Sequence, residues 1–228
     1  MNVYSSLYEL FTDIAFVLKS LADYNNPIEA IDFPSLIREI EINCDLRVGQ
    51  FISKNIQYVD AIDLDGITKI GSYAFYNCTA LKSIVLPRSV TSIGDSAFYN
   101  CSSLTSITIP DSVTSIGDSA FQNCSSLMSI AIPDNIMRIE DATFWGCSSL
   151  TSIIIPNSVR YIDNAAFCYC SSLTSITLPN SVTSIAQNAF INCTSLTTIN
   201  VPWSEGTVAG APWGASSTTT INYNYTGE

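Results

Sequence analysis

The chain contains no histidine and few charged residues, and both shortages restrict its function. Lys and Arg total 9, Asp and Glu total 20, and charged residues make up 13% of 228 residues. Without histidine there is no Ser–His or Cys–His pair to activate a nucleophile. No glycine-rich phosphate loop is present either. The sequence therefore predicts a protein that is not an enzyme, with no cofactor and no metal site.

Basic clusters and long apolar runs are also missing. The net charge of −11 and the pI of about 4.2 disfavour nucleic acid and anionic membrane surfaces as partners. No stretch reaches the roughly 18 apolar residues that a membrane-spanning helix needs. The N-terminus lacks a basic region, and Asp13 interrupts its apolar stretch. We predict no nucleic acid partner, no membrane insertion and no signal peptide in the chain as given.

A strict period of 23 residues dominates the rest of the sequence. A fixed period in the twenties is typical of a solenoid, in which each repeat is one coil that buries its apolar side against its neighbours. Three residue types keep this period without a slip: Cys78, Cys101, Cys124, Cys147, Cys170 and Cys193; Phe75, Phe98, Phe121, Phe144, Phe167 and Phe190; Pro87, Pro110, Pro133, Pro156, Pro179 and Pro202.

Each coil contains two short apolar segments. In the coil that starts at Cys101, Leu104, Ile107 and Ile109 form a strand that ends at a proline, because proline cannot donate to the sheet. A return segment follows, where Gly117 is expected to give the backbone conformational freedom. An Asn–Cys pair then turns the chain into the next coil. Two strand-like sides per coil predict two parallel sheets, one on each flank.

The six periodic cysteines are predicted to be buried free thiols. Successive coils place them about 4.8 Å apart with parallel Cβ vectors. Parallel vectors are a poor start for the dihedral angle of a disulfide. Free cysteine is a small hydrophobic residue that is commonly buried.

The periodicity divides the chain into three parts. Residues 1–43 do not repeat and carry a capping box, Ser6 to Glu9, before a helical apolar pattern. They are predicted to form helices that either cap the solenoid or pair with copies of themselves. Residues 44–202 form a solenoid of about seven coils. Residues 203–228 are predicted to be an irregular C-terminal cap, in which Trp203 and Trp213 cover the end of the core. Ile221, Tyr223 and Tyr225 alternate and predict a last strand.

Outward-facing positions that vary between coils are candidates for binding. The position after the core Phe predicts an aromatic stripe, because exposed aromatic rows suit interfaces and stacking on sugars. Alternatively, this turn tolerates any residue, or the rings pack along the solenoid. The stripe positions are Tyr76, Tyr99, Gln122, Trp145, Cys168 and Ile191, and the binding candidates are Tyr73, Tyr76, Tyr99, Gln122, Trp145 and Tyr169.

Two further columns are weaker candidates. Outward positions of the first strand could form a binding sheet or a solvated row of β-formers. They are Lys82, Thr105, Met128, Thr151, Thr174 and Thr197, beside Val85, Thr108, Ala131, Ile154, Thr177 and Asn200. Asp95, Asp118 and Asp141 form an acidic column that lacks a liganding loop, so stacked surface charges are favoured over a calcium site.

The repeat resembles the BspA-like class of leucine-rich repeats. Residues 104–124 read L-T-S-I-T-I-P-D-S-V-T-S-I-G-D-S-A-F-Q-N-C, and the elements L-x-x-I-x-I-P, I-G-x-x-A-F and N-C recur in order over residues 58–202. The resemblance implies a mainly β solenoid and a surface protein that binds a protein or glycan on another cell. It places the protein outside the cell or at a cell surface.

The two ends resemble a different group. Residues 4–43 and the segment V-P-W-S-E-G-T-V-A-G-A-P-W-G-A, residues 201–215, are similar to tail-associated proteins of prophages in gut bacteria. This resemblance implies a virion-associated binding or adhesion module, anchored through its N-terminal helices. The alternative is a structural spacer that forms a homo-oligomer through residues 1–43.

Overall fold

The computed structural model describes residues 67–227, which form a solenoid of stacked coils. Short parallel strands and turns make up these coils, and residues 67–227 contain no helix. Over the same range no helix long and apolar enough to cross a bilayer is found. The helices predicted for residues 1–43 lie outside the described part of the chain. The predicted β solenoid with parallel strands is confirmed for the part that is described.

Strands lie on two flanks of each coil. The strand flank follows the turn at each cysteine and carries β2 (Ser83–Val85), β4 (Ser106–Thr108), β8 (Ser175–Thr177), β10 (Thr198–Asn200) and β11 (Thr220–Asn222). The return flank follows the proline corner and carries β1 (Lys69–Ile70), β3 (Ser92–Ile93), β5 (Ser115–Ile116), β6 (Arg138–Ile139), β7 (Tyr161–Ile162) and β9 (Ser184–Ile185).

Each flank is divided into two sheets, whereas the periodicity predicted one. The strand flank has the sheets β2-β4 and β8-β10-β11, and between them only the isolated bridge from Ala131 to Ile154. The return flank has the sheets β1-β3-β5 and β6-β7-β9, with no pairing between β5 and β6. Flank pairing between coils 101–123 and 124–146 is therefore missing on both sides.

A third side of the coil, the turn side around the core Phe, holds the stack together without a break. The Phe98 N–H donates to the Ala120 carbonyl at 2.7 Å, and the Phe121 N–H donates to the Thr143 carbonyl at 2.9 Å. The same bond recurs in every described coil from Phe75 to Phe190. The turn side, for which the sequence predicted only an Asn–Cys turn, carries the most continuous hydrogen-bond ladder of the described solenoid.

Left-handed backbone explains why asparagine precedes the periodic cysteines. Asn77, Asn100, Asn123 and Asn192 have φ angles of 55–62°, and Gly146 has φ 72° at the same register. Asparagine and glycine tolerate this conformation better than other residues. The predicted Asn–Cys turn is confirmed.

The interior is a stack of identical residues. Successive core Phe rings lie 4.9–5.7 Å apart between centroids and are nearly parallel. Phe98, Phe121, Phe167 and Phe190 are 0% exposed. The six periodic cysteines are buried and form no disulfide, as predicted; Cys168 is also buried, and Cys44 lies outside the described residues.

The thiols also act as donors. Cys124 donates its S–H to the Phe98 carbonyl at 3.1 Å, and Cys147 donates to the Phe121 carbonyl at 3.2 Å. Burial raises the pKa of Cys124 to about 12, so the sulfur keeps its proton at neutral pH. Alanine has no side-chain donor. The repeated S–H hydrogen bonds therefore explain why cysteine occupies this position.

Gly117 has a different reason from the one predicted. Its φ is not positive, so conformational freedom is not what the site requires. A Cβ at Gly117 would lie 2.7 Å from the backbone nitrogen of Asp95, and a Cβ at Gly94 would lie 2.5 Å from that of Ser72. Glycine at this register therefore permits close approach of one coil to the previous one.

The C-terminal tryptophans lie in the core, as predicted. Trp213 is 0% and Trp203 is 6% exposed. The Trp213 carbonyl accepts the Phe190 N–H at 3.0 Å, in the place that the next coil would supply. The predicted last strand exists as β11, which pairs with β10, but it ends at Asn222, so the prediction that it includes Tyr223 and Tyr225 is wrong.

Candidate functional site

Three tyrosines form a cluster on the turn side near the start of the described coils. The Tyr76 and Tyr99 rings are stacked with centroids 4.8 Å apart and an interplanar angle of 12°. Tyr73 contacts Tyr76 edge-to-face at 5.6 Å and is 51% exposed. We call Tyr73, Tyr76 and Tyr99 the tyrosine cluster. The Tyr76 and Tyr99 rings stack because successive coils place equivalent residues about 4.8 Å apart.

The predicted stripe is interrupted after Tyr99. Gln122 is half-buried and makes no ring contact. Trp145 then meets Tyr169 edge-to-face at 5.3 Å, and we call these two residues the central aromatic pair. Cys168 is only 4% exposed, and the Trp145 side chain is hydrogen-bonded to its thiol. The stripe is therefore not continuous: its aromatic residues Tyr76, Tyr99 and Trp145 are half-buried and fall into two separate groups. That these rings bind a partner stays a prediction.

Backbone conformation directs the two most exposed rings outward. Tyr73 has φ 64° and Tyr169 has φ 58°. The same two registers carry Ser96 or Ala142, and Asn100 or Asn123, in other coils. A bulky residue in the left-handed region costs energy and persists where another requirement holds it. These two positions are consistent with a role for the exposed rings.

The strand flank exposes apolar side chains in its interrupted middle. Met128 is 56% and Ile154 is 80% exposed, and Ile154 bridges Ala131. Threonine fills the equivalent positions of the coil that starts at Cys170. The threonine hydroxyls help the backbone ladder, since Thr105 donates to the Lys82 carbonyl at 3.0 Å and Thr197 to the Thr174 carbonyl at 3.1 Å.

The acidic column is a hydrogen-bond ladder. Each carboxylate accepts the backbone N–H one coil later, from Asp118 to Asp95 at 3.1 Å and from Asn164 to Asp141 at 2.9 Å. Desolvation, followed by the charges of Asp95 and Asp141, raises the pKa of Asp118 above its ordinary value. Within residues 67–227 no group of three acids or cysteines is placed to hold a metal ion.

A charged cluster on the return flank was missed from the sequence. Arg138 Nη1 donates to Asp163 Oδ2 at 2.9 Å, and its guanidinium lies 4.6 Å from the Tyr161 ring centroid. Desolvation and a hydrogen bond with Asp163 raise the pKa of Glu140 to about 7. The available signal was the loss of Thr–Ser at two successive coils, where Met137-Arg138 and Arg160-Tyr161 replace it.

The repeats match a known family profile. The BspA type leucine rich repeat region, with 6 copies, matches residues 45–170 and 91–210. Together these ranges cover more than half of the chain. No curated protein matches the chain significantly.

Three solved structures share the fold. A leucine rich cell surface protein of Faecalibacterium prausnitzii is 43% identical with a TM-score of 0.56, over 59% of this chain and 36% of that protein. A leucine-rich repeat protein of T. pallidum is 32% identical with a TM-score of 0.54, over 63% of this chain and 69% of that protein. The pneumococcal vaccine antigen PcpA is 18% identical with a TM-score of 0.54, over 68% and 39%, and supports the fold alone.

The match covers about a third of the Faecalibacterium protein. What that whole protein does is therefore not carried over with the fold. The repeat period, the Phe and Cys ladders and the family profile agree over the same residues. The chain belongs to the BspA-type leucine-rich repeat family.

Proposed function

We propose that this protein is a non-enzymatic binding or adhesion module whose turn-side aromatic residues engage a protein or glycan on another cell or particle. The observation that carries the proposal is the tyrosine cluster, in which Tyr76 and Tyr99 are stacked at 4.8 Å beside the exposed Tyr73. Stacked rings held by a rigid ladder lose little entropy on binding. Their open faces and edges suit sugar rings and protein side chains.

The central aromatic pair extends the proposed surface. Trp145 and Tyr169 lie on the same side of the coils, and Tyr169 is 48% exposed. Gln122, half-buried between the two groups, supplies an amide that could hydrogen-bond the same partner. The proposed site is therefore Tyr73, Tyr76, Tyr99, Gln122, Trp145 and Tyr169.

The proposed setting is the surface of a bacterium. Of the solved relatives, one is described as a cell surface protein. A virion-associated setting, with residues 1–43 as the anchor, is a narrower proposal that rests on the resemblance of the two chain ends. Detection of this protein in purified phage particles, rather than in washed cell envelopes, would support the virion setting over the bacterial one.

The test of the site uses a residue that the repeat already accepts. Gln122 occupies the register of Tyr99 and Trp145, so Tyr99→Gln and Trp145→Gln should leave the fold intact. Wild type and the double variant are applied to an array of printed glycans and extracellular-matrix proteins. We expect the double variant to lose its binding by about tenfold or more while its Tm stays unchanged. Equal binding by both proteins, or no binding by wild type, contradicts the proposal.

A structural spacer is the second candidate function. The unbroken turn-side ladder favours it, because a continuous ladder makes a stiff rod. This candidate needs assembly through residues 1–43. Light scattering of the intact chain tests it, since a mass near 24.7 kDa would mean a monomer and would contradict the spacer.

A further inference from the structure

Two neighbouring coils change the chemistry of the return flank. At the register that holds Thr91-Ser92, Thr114-Ser115 and Thr183-Ser184, the central coils carry Met137-Arg138 and Arg160-Tyr161. We call Met137, Arg138, Arg160 and Tyr161 the return-flank patch. Met137 is 61% and Tyr161 is 39% exposed, and both arginines are exposed. The patch is independent of the turn-side aromatic residues.

Backbone pairing holds the four residues on adjacent coils. Arg138 and Tyr161 are direct partners in the β6–β7 register, and the Arg160 N–H donates to the Met137 carbonyl at 2.8 Å. The Arg138 guanidinium is fixed between Asp163 and the Tyr161 ring. Ile139 and Ile162 anchor the two strands in the core. The backbone of the patch and the Arg138 and Tyr161 side chains are therefore held in place before a partner arrives, which lowers the entropy cost of binding.

Stability does not account for these residues. The ion pair between Arg138 and Asp163 is 45% and 26% exposed at its two side chains, and exposed pairs contribute little. Thr114 and Thr183 each donate a side-chain hydrogen bond of 3.2 Å to the preceding coil. Met137 cannot make this bond, and Arg160 makes none. The central coils thus give up a ladder bond and expose an apolar side chain, which is typical of an interaction surface.

The composition indicates a protein partner. Met, Arg and aromatic residues are enriched at the cores of protein interfaces, where Ser is depleted. A flat face of this kind differs from the stacked-ring arrangement that suits a sugar. Because the four side chains cover two adjacent strands, the area matches a short segment of a partner better than a whole domain face.

The basic side chains of the patch indicate that the partner segment is negatively charged. Residues 67–227 contain five basic side chains, and two of them lie in the patch: Lys69, Lys82, Arg88, Arg138 and Arg160. Arg138 is paired with Asp163, whereas Arg160 has no acidic partner among the described residues. An unpaired guanidinium on a chain with a net charge of −11 is an exposed docking point for a carboxylate.

We propose that the return-flank patch docks an extended acidic segment of another protein. A carboxylate of the segment pairs with Arg160, and a neighbouring apolar side chain covers Met137 and Tyr161. This contact is separate from the glycan or protein that the turn side is proposed to bind. The protein would then hold two partners on different sides of the same coils.

Reversion to the repeat consensus gives a clean test. Arg160→Thr with Tyr161→Ser gives the coil 147–169 the Thr–Ser pair that three other coils fold with. The matched control is Lys82→Thr, which removes a cation from the strand flank at a register where Thr105 and Thr151 stand. Circular dichroism and thermal unfolding should show the same fold for wild type, the double variant and the control.

The probes are synthetic 12-residue peptides that vary in Glu, Leu and Tyr content, with neutral and Lys-rich peptides as references. Binding to the full-length protein is measured by fluorescence anisotropy. We expect peptides that combine Glu with Leu or Tyr to bind, and the double variant to weaken them by about tenfold or more. Lys82→Thr should change the affinity by less than about twofold, and added salt should weaken binding.

Three peptide-binding outcomes would overturn the proposal. One is that no acidic peptide binds wild type; another is that the double variant binds as wild type does; the last is that Lys-rich peptides bind equally well. Self-association of wild type that the double variant abolishes would assign the patch to a second copy, and would also overturn it. Tyr99→Gln should leave peptide binding unchanged, so failure of either proposal is distinguishable from failure of the other.

Discussion

The coils 101–123 and 147–169 have the same interior and different exteriors. Leu104 and Leu150 are both 0% exposed, and Phe121 and Phe167 are both 0% exposed. Outside, the first coil presents Thr and Ser on both flanks, whereas the second presents Ile154, Arg160 and Tyr161. Two coils with the same core residues therefore differ mainly on their outer faces.

This difference separates structural from functional constraint inside one chain. Interior residues are fixed because each coil packs against a copy of itself at a spacing of about 5 Å. Outer residues that join a ladder, such as Thr114, are fixed more weakly by one hydrogen bond. An outer residue that lacks this hydrogen bond, such as Met137, is therefore the better candidate for a functional role.

The largest expected loss of stability comes from a substitution in the core. Phe121→Ala removes a ring stacked at 5.3 Å on Phe98 and 5.7 Å from Phe144, and should lower the free energy of unfolding by about 3–5 kcal/mol. Gln122→Ala, the adjacent half-buried residue, should change it by about 0.5 kcal/mol. Urea unfolding measures both. Similar losses for the two variants would break the distinction between interior and exterior.

Gly117 and Ala186 stand at the same register of different coils, and exchanging glycine and alanine should cost more stability at Gly117. Gly117→Ala should cost about 1–3 kcal/mol, because the new Cβ would meet the backbone of Asp95 and the previous coil. Ala186→Gly, at the same register, should cost no more than about 1 kcal/mol through chain entropy. Urea unfolding of the two variants tests the pair. A stabilised Gly117→Ala protein would show that the coils have room to separate.

Which features could be predicted from the sequence depends on the same difference between interior and exterior residues. Periodic Phe98 and Cys101 predict the core and the free thiols, because identical coils impose identical interiors. The division of each flank into two sheets was not predictable, since the residues on either side of the break between β5 and β6 keep the repeat pattern in the core. The tyrosine cluster was predicted as part of a longer stripe. The cluster ends at Tyr99 because the next coil carries Gln122, which has no ring to continue the stacking.

The acidic ladder offers a smaller effect. Asp118→Ala removes the acceptor of the Asp141 N–H and should cost about 0.5–1.5 kcal/mol. Asp118→Asn keeps an acceptor and removes the repulsion from Asp95 and Asp141 that raises the pKa of Asp118. Its stability at neutral pH should therefore equal or exceed that of wild type. Thermal unfolding at pH 7 compares them, and equal losses for Ala and Asn would contradict a ladder role for the side chain.

The smallest effect concerns Glu140, at a register where other coils carry glycine, aspartate or alanine. Its pKa is raised from 4.5 to about 7 in the folded protein, first by desolvation and then by its hydrogen bond with Asp163. A raised pKa means that the folded state binds the proton more tightly than the unfolded chain does. The stability from this group is complete below pH 4.5 and is lost as the pH rises to about 7.

Glu140→Gln cannot titrate, so its Tm should match wild type at low pH and exceed it by a small margin at pH 8. The difference in Tm should grow between pH 4.5 and about 7, which is the window between the two pKa values. Gln187→Glu, which adds a carboxyl to the acidic column one coil beyond Asn164, is the control and should give no rise in Tm over that window. A constant difference between Glu140→Gln and wild type would show that the folded and unfolded states bind this proton equally, so that the pKa of Glu140 is not raised by folding. Glu140 would then be an ordinary exterior residue, and the central coils would differ from their neighbours only through the return-flank patch and the aromatic residues.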